Sequence, residues 1–203
     1  MLLCDIGNTS VHFLDNTNGE YKESVVNFNP KNFKQKIYYI SVNYTLSKQL
    51  EDLDNWINLE LFIDKSKYYD TMGVDRIFVV EATNNSVIVD AGSAVTIDVV
   101  RDGIYEGGFI YPGKNAMKKC YTGISSALEY SFNFELNQGH LAKNSQDAIS
   151  YGYLKLLASE VSSYGLPIIV TGGDAREFVK LFENATLNNR LLFEGMQKII
   201  AQL

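Results

Sequence analysis

Short apolar runs separated by turn-forming residues punctuate the chain, and each half opens on the same arrangement of them. Met1 to Cys4 and Val11 to Leu14 read as two strands joined by the polar stretch Asp5-Ile6-Gly7-Asn8-Thr9-Ser10. A turn at Asn16 to Gly19 leads into a third strand over Glu20 to Phe28, giving an antiparallel meander. Asn29-Pro30 starts a short connection or helix, and Ile37 to Val42 is a continuous apolar run of the kind a strand covered on both faces requires. Thr45 to Trp56 predicts a helix and Leu59 to Ile63 another strand, after which Ile77, Val80 and Ala82 recur at helical spacing. The second half begins with its own meander, Ser86 to Val89, Val95 to Val100 and Tyr105 to Tyr111, turned at Arg101-Asp102-Gly103. Pro112-Gly113 opens a helix to Tyr121, and Thr122 to Leu141 is polar without a clear period. Ser145 to Tyr164 predicts a long amphipathic helix stopped by Gly165, then Ile168 to Val170 a strand, and Glu194 to Leu203 a closing helix.

A strand meander followed by helix, strand, helix and strand is the order of a ribonuclease-H-like unit. Its recurrence predicts an α/β protein of two tandem units with mixed sheets, residues 1–83 and 84–203, with no Pro/Gly/Ser linker between them. The repeat extends to chemistry. Asp5-Ile6-Gly7 and Asp90-Ala91-Gly92-Ser93 each end an apolar strand in a carboxylate, a glycine and hydroxyl-bearing residues, so bare amides and hydroxyls collect at one mouth of a sheet. An Asx/Gly hairpin turn explains either stretch alone. Paired in one cleft, two carboxylates and two sets of loop amides suit the phosphates of a nucleotide with a divalent cation. A third Gly-rich turn, Thr171 to Ala175, lets a flat ring or a phosphate lie against bare backbone.

Composition narrows the classes. Of the 203 residues 46% are apolar and 21% charged, the balance of a globular protein. The formal charge of −6, without a Lys/Arg run, argues against a nucleic-acid partner or an anionic membrane. Asp5 interrupts the opening apolar run and no run is long enough to span a bilayer, so a cytoplasmic protein is expected. Cys4 and Cys120 have neither disulfide-framework nor metal-ligand spacing and read as buried free thiols. His12 and His140 have no evident sequence partner.

Five stretches in order, DIGNTS (Asp5 to Ser10), GVDR (Gly73 to Arg76), DAGSAVTID (Asp90 to Asp98), GGFIYPG (Gly107 to Gly113) and TGGDA (Thr171 to Ala175), resemble the motifs of type III pantothenate kinases. The resemblance implies the acetate and sugar kinase, heat-shock chaperone and actin superfamily, hence actin-like ATPase units facing a nucleotide cleft. It further implies a homodimer that uses ATP, Mg²⁺ and K⁺ or NH₄⁺ to phosphorylate pantothenate. Carried over by position, Asp5, Ile6, Gly7, Asn8, Thr9, Ser10, Val11 and His12 hold ATP phosphates, with Asp5 near Mg²⁺ directly or through water. Ser93 stands where the family has an ATP-contacting threonine. Asp75 corresponds to the general base, flanked by Gly73, Val74 and Arg76 as pantothenate contacts. Asp90 corresponds to the monovalent-cation ligand, and Ser145 replaces a substrate-binding threonine. Tyr69, with Tyr68 beside it, completes the substrate set. Both serines keep the hydroxyl of the residue they replace.

These residue types fit phosphoryl transfer, which asks a protein chiefly to align donor and acceptor and to neutralise charge. Asp75 accepts the proton of a primary hydroxyl and Arg76 orients the acceptor or pairs with its carboxylate. An ordinary helix start, with Asp75 near the positive helix end and Arg76 in solvent, explains the same residues structurally. Two other functions draw on the same turns: another small-molecule kinase or phosphoanhydride phosphatase of the superfamily, and a non-catalytic nucleotide-sensing regulator. GVDR separates the first, and intact Asp5 and Asp75 count against the second.

Overall fold

The computed structural model describes residues 1–15, 17 and 19–203; Asn16 and Asn18 of the expected first turn lie outside the described residues. In chain order the elements are β1 (Leu2–Ile6), β2 (Ser10–Asp15), β3 (Gly19–Ser24), β4 (Ile37–Ser41), α1 (Tyr44–Leu50), β5 (Trp56–Asn58), α2 (Val74–Glu81), β6 (Ser86–Ala91), β7 (Ala94–Arg101), β8 (Ile104–Pro112), α3 (Lys114–Ile124), α4 (Ser145–Ser163), β9 (Ile168–Thr171), α5 (Ala175–Phe178), β10 (Thr186–Leu187) and α6 (Leu191–Ile200). Contacts divide the chain into a first unit, Met1–Ala82 with Leu191–Leu203, and a second, Thr83–Arg190.

Alternation along β1 organises the first unit. Leu2, Cys4 and Ile6 face one way and join Val11, Phe13, Ile37, Tyr39 and Trp56, while Leu3 faces the other way with Leu14 and Ile40. The sheet runs β3-β2-β1-β4-β5, with β1 antiparallel to β2 and parallel to β4. The first face is closed by Leu46 and Leu50 of α1 and by an aromatic cluster in which Phe13 stacks on Phe33 at 5.2 Å and Phe28 meets Trp56 edge-on at 5.8 Å. The Trp56 indole N–H donates to the Pro30 carbonyl at 3.3 Å, so the buried ring keeps its polar atom paired. Val74 and Phe78 of α2 cover the second face together with Phe193, Met196 and Ile199 of α6.

The second unit repeats the plan as β10-β9-β6-β7-β8, with β6 antiparallel to β7 and parallel to β9. Val87, Val89 and Ala91, with Val95, Ile97 and Val99, meet Tyr153, Leu154, Leu157, Ala158 and Val161 of α4. Two mixed five-stranded sheets with helices give the expected α/β class.

Several local expectations change. The helix expected over Thr45 to Trp56 ends at Leu50, because Trp56 is drawn into parallel register with Ile37 and the Asp/Asn-rich stretch before it turns instead. The strand expected over Leu59 to Ile63 is a 3-10 turn at Leu59–Phe62, opened by the Asn58 side chain accepting from Glu60 N at 2.9 Å. The third strand stops at Ser24, and Phe28 turns into the core. Cys4 is buried as expected, but Cys120 is exposed on α3, which buries none of its residues. Residues 191–203, read from sequence with the second unit, belong to the first: Leu191, Phe193, Met196 and Ile199 form one apolar stripe, and Phe193, Met196 and Ile199 share the cluster of Val74 and Phe78 on α2. The second unit instead gains β10 beside β9.

This assignment of α6 is testable at Phe193, which is 1% exposed. Phe193→Ala is expected to lower the unfolding free energy by about 3–5 kcal/mol in denaturant titration; unchanged stability would remove α6 from this core.

Candidate active site

In the first unit the turn after β1 is closed by Gly7 N donating to the Ser10 carbonyl at 3.0 Å. This leaves Asn8 and Thr9 exposed at the carboxyl end of β1, beside the carboxyl end of its parallel neighbour β4. Ile6 and Val11 are fully buried, so any ligand would meet only their backbone. Asp5, half-buried, shares the face of Leu3 and stands opposite His12 in the β1–β2 register. The His12 imidazole lies 3.3 Å from Glu20 and packs edge-on against Phe193 with ring centroids 4.8 Å apart. Burial, then the Lys22 charge, lowers its pKa against the opposing pull of Glu20.

The GVDR stretch starts α2. Gly73 is the N-cap residue, and Asp75 in the first turn folds back so that its Oδ1 accepts from Arg76 N at 2.9 Å. A Cβ on Gly73 would stand 2.6 Å from that same Oδ1, so the carboxylate occupies space that only glycine leaves open. Arg76 is only 6% exposed, not the solvated residue of an ordinary helix start. Its Nη1 donates to the Tyr69 hydroxyl, and the guanidinium lies 5.7 Å from the Tyr69 ring centre. The Tyr68 hydroxyl donates instead to Glu81 Oε1 at 2.6 Å. Tyr69 is thus the tyrosine joined to the motif.

In the second unit, strand register gathers three turns at one end of the sheet. Asp90 pairs with Thr171 across β6 and β9, and Ala94 pairs with Pro112 across β7 and β8. The Asp90–Ser93 turn, the entry to α3 and the Thr171–Ala175 turn are therefore neighbours. Asp174 N donates to the Ala91 carbonyl at 2.9 Å. Gly172, at φ +94°, lies so close to Asp90 Oδ1 and the Ala91 carbonyl that a side chain would overlap both. Ser93 is exposed on this rim. Thr96 stands opposite Asp90 in the β6–β7 register, and its Oγ1 is buried without a hydrogen-bond partner. A buried hydroxyl without a protein partner is a place where a water or an ion would supply the missing bond. Among the described residues no three His, Cys, Asp or Glu side chains cluster as a metal site. Asp5 would supply a single carboxylate to a Mg²⁺ at the turn after β1.

Type III pantothenate kinases provide the matching family pattern, over residues 54–165. A type III pantothenate kinase of Sulfurimonas denitrificans is 56% identical over 200 residues, spanning 98% of this chain and 97% of its own. The chain belongs to the type III pantothenate kinase family. A Campylobacter jejuni structure described as a Baf family transcriptional activator superposes with a TM-score of 0.88 at 37% identity, covering 100% of this chain and 98% of that one. The Acidaminococcus fermentans (R)-2-hydroxyglutaryl-CoA dehydratase component A shares the fold alone, at a TM-score of 0.51 and 12% identity over 98% and 95% of the two chains.

The span matched to the pantothenate kinase family contains Tyr69, GVDR, the Asp90–Asp98 stretch and Ser145, while DIGNTS and TGGDA lie outside it. Within the first unit, Tyr69, Gly73, Asp75 and Arg76 come together, and Asp5 to His12 form a hairpin end; within the second, Asp90 and Ser93 share a rim. Ser145 is exposed in the first turn of α4, about two helical turns before Tyr153, whose hydroxyl donates to the Pro112 carbonyl at 2.6 Å. Thr96 and Asp174 stand within motifs read from the sequence but carry no role of their own there, although hairpin alternation places Thr96 across from Asp90; Lys114 lies outside every motif, and no local pattern connects it to Asp174.

The start of α4 that presents Ser145 depends on Asp147. Its carboxylate accepts from Asn133 Nδ2 at 3.0 Å and Asn144 Nδ2 at 2.7 Å, and these bonds, Asn133 first, hold its pKa below the ordinary value. The stabilisation is complete above the ordinary carboxylate range and is lost as pH falls through the depressed value. Amide exchange at Gln146–Ala148 is expected to accelerate on acidification below about pH 4 relative to the centre of α4, and Asp147→Leu to abolish that difference. Equal pH dependence in the variant would clear Asp147 of the role.

Proposed function

We propose that this protein transfers the γ-phosphoryl group of ATP to the primary hydroxyl of pantothenate, giving 4'-phosphopantothenate at the start of coenzyme A synthesis. Beyond family membership, the observation that carries this reading is the Gly73–Arg76 constellation. A carboxylate folded over a glycine lies next in sequence to a buried guanidinium tethered by a tyrosine. Pantothenate offers a hydroxyl to deprotonate and a carboxylate to bind, and a base and a fixed cation meet those two needs.

The roles divide by residue type. Asp75 takes the proton of the attacking hydroxyl as the bond to phosphorus forms and the bond to the β-phosphate oxygen breaks. Arg76 and Tyr69 hold the acceptor, with Gly73 and Val74 shaping its approach and Ser145 adding a hydroxyl contact. The amides and hydroxyls of Asp5–His12, with Ser93, orient the ATP phosphates; from Ile6 and Val11 only the backbone takes part. Asp5 carries Mg²⁺, directly or through water, and the ion neutralises phosphate charge when bound. Asp90 would hold K⁺ or NH₄⁺, with the Thr96 hydroxyl across the β6–β7 pair as a further oxygen. A homodimer is the expected assembly. A transcriptional role, the one named for the Campylobacter structure, would ask for a basic surface on a chain whose formal charge is −6. No helix among the described residues is long and apolar enough to cross a membrane.

The deciding assay is ATP-dependent phosphorylation of labelled pantothenate with and without K⁺. Product that increases with K⁺ is expected, and its absence under every salt would end the proposal. Asp75→Asn should lower kcat at least about 10²-fold in a folded protein, and near-normal turnover would remove Asp75 as the base. Gly73→Ala should displace the Asp75 carboxylate, lowering kcat by about 10²-fold while the melting temperature is nearly kept. Unchanged kcat there would show that the folded-back carboxylate is not the reactive arrangement.

A further inference from the structure

Lys114 has no part in the roles above, yet it joins the turns of the second unit. It follows Pro112-Gly113, and Pro112 pairs with Ala94 at the start of β7. Its Nζ reaches the third Gly-rich turn, 2.9 Å from Asp174 Oδ1, and contacts Glu177 Oε2 on α5 as well. Asp174 is bound in turn to the Ala91 carbonyl through its backbone N–H, and Gly172 of the same turn packs on Asp90. A closed circuit results: from the end of β6 to the Thr171–Ala175 turn, through the ammonium to the start of α3, and back by way of Pro112 and Ala94 to the start of β7.

Ala91 and Ala175 anchor the two turns in the apolar core, and the charged tie adds a link from the start of α3, a helix with no buried apolar residue. The Lys114 and Asp174 side chains are 27% and 24% exposed and that of Glu177 is 45% exposed, so the Asp174 arm of the bridge is the more shielded one. The hydrogen bonds to Glu177 and then Asp174 raise the Lys114 pKa above its ordinary value, as for any ammonium held between two carboxylates.

We infer that Lys114 is a positioning residue for the nucleotide: its bridge to Asp174 and Glu177 holds the Thr171–Ala175 turn against the Asp90–Ser93 turn in the spacing that ATP requires. The inference rests on the kinase reading and adds to it a residue that acts through the turns and not by touching pantothenate. The segments it ties contain Asp90 and Ser93, assigned to the cation and ATP, and none of Tyr69 or Gly73–Arg76. Losing the bridge should therefore raise the KM for ATP and leave the KM for pantothenate and kcat near their starting values.

The test compares wild type, Lys114→Met, Lys114→Arg and Glu177→Gln by steady-state kinetics in both substrates, with calorimetric binding of a non-hydrolysable ATP analogue. Lys114→Met should raise the KM for ATP and the analogue Kd about tenfold. Lys114→Arg should recover most of the loss, and Glu177→Gln should move both constants in the same direction by less. Unchanged ATP constants in Lys114→Met alongside an active wild type would overturn the inference and leave the kinase reading standing. Parallel increases for pantothenate and ATP with a lowered melting temperature would also overturn it, since general loosening would then explain the effect. If Lys114→Met does not fold, Glu177→Gln decides alone: a raised KM for ATP supports the bridge and an unchanged one rejects it. A wild type that neither turns over pantothenate nor binds the analogue rejects both readings.

Discussion

The strand at the middle of each sheet carries a constraint from which the rest of the site follows. β1 pairs antiparallel with β2 on one side and parallel with β4 on the other; β6 does the same with β7 and β9. An antiparallel neighbour can follow after a tight turn, whereas a parallel neighbour needs a long crossover. The central strand must therefore end in a short turn lying beside the carboxyl end of its parallel partner. Exposed amides and a terminal carboxylate collect there because the hydrogen-bond ladders are used up everywhere else. Asp5 and Asp90 hold equivalent posts for that reason, one residue before the end of their strands.

Equivalent scaffolds carry unequal chemistry. In the first unit the charged centre is Arg76, largely removed from water, its planar fork engaged by a tyrosine hydroxyl and ring. Burying a guanidinium is unfavourable unless its donors are used, which the Tyr69 hydroxyl and ring do here in part. In the second unit the corresponding end of the sheet is an oxygen-rich rim of Asp90 and Thr96, tied by an ammonium to Asp174 and Glu177. One unit thus holds a buried guanidinium, and the other an ammonium shared between two carboxylates.

Much of this was legible in the residues. Runs such as Ile37–Ser41 and Val95–Val100 announced strands because apolar and β-branched residues dominate them even with Thr96 and Asp98 interposed, and each Asp-x-Gly stretch marked a strand end. Leu59–Ile63 misled because an apolar run says nothing of hydrogen bonding, and the Asn58 side chain turned the backbone into a 3-10 path. Trp56 misled in the opposite sense, as the last residue of a helical-looking segment that pairs as a strand. Tyr68 and Tyr69 could not be told apart until the side chains showed one bound to Glu81 and the other to Arg76. The tie of Lys114 to Asp174 spans sixty residues and leaves no periodic trace.

The return of α6 to the first unit bears on how the chain matures. Thr83–Arg190 is one uninterrupted segment whose sheet and covering helix are complete as soon as it has been synthesised. The segment translated before it has no such independence, since the apolar surface of Leu3, Leu14 and Ile40 lacks the cover of Phe193, Met196 and Ile199 until those residues have been made. The residues born first are finished last. A stop before Leu191 would therefore strike hardest at the unit made first, leaving it sticky and the Thr83–Arg190 unit whole.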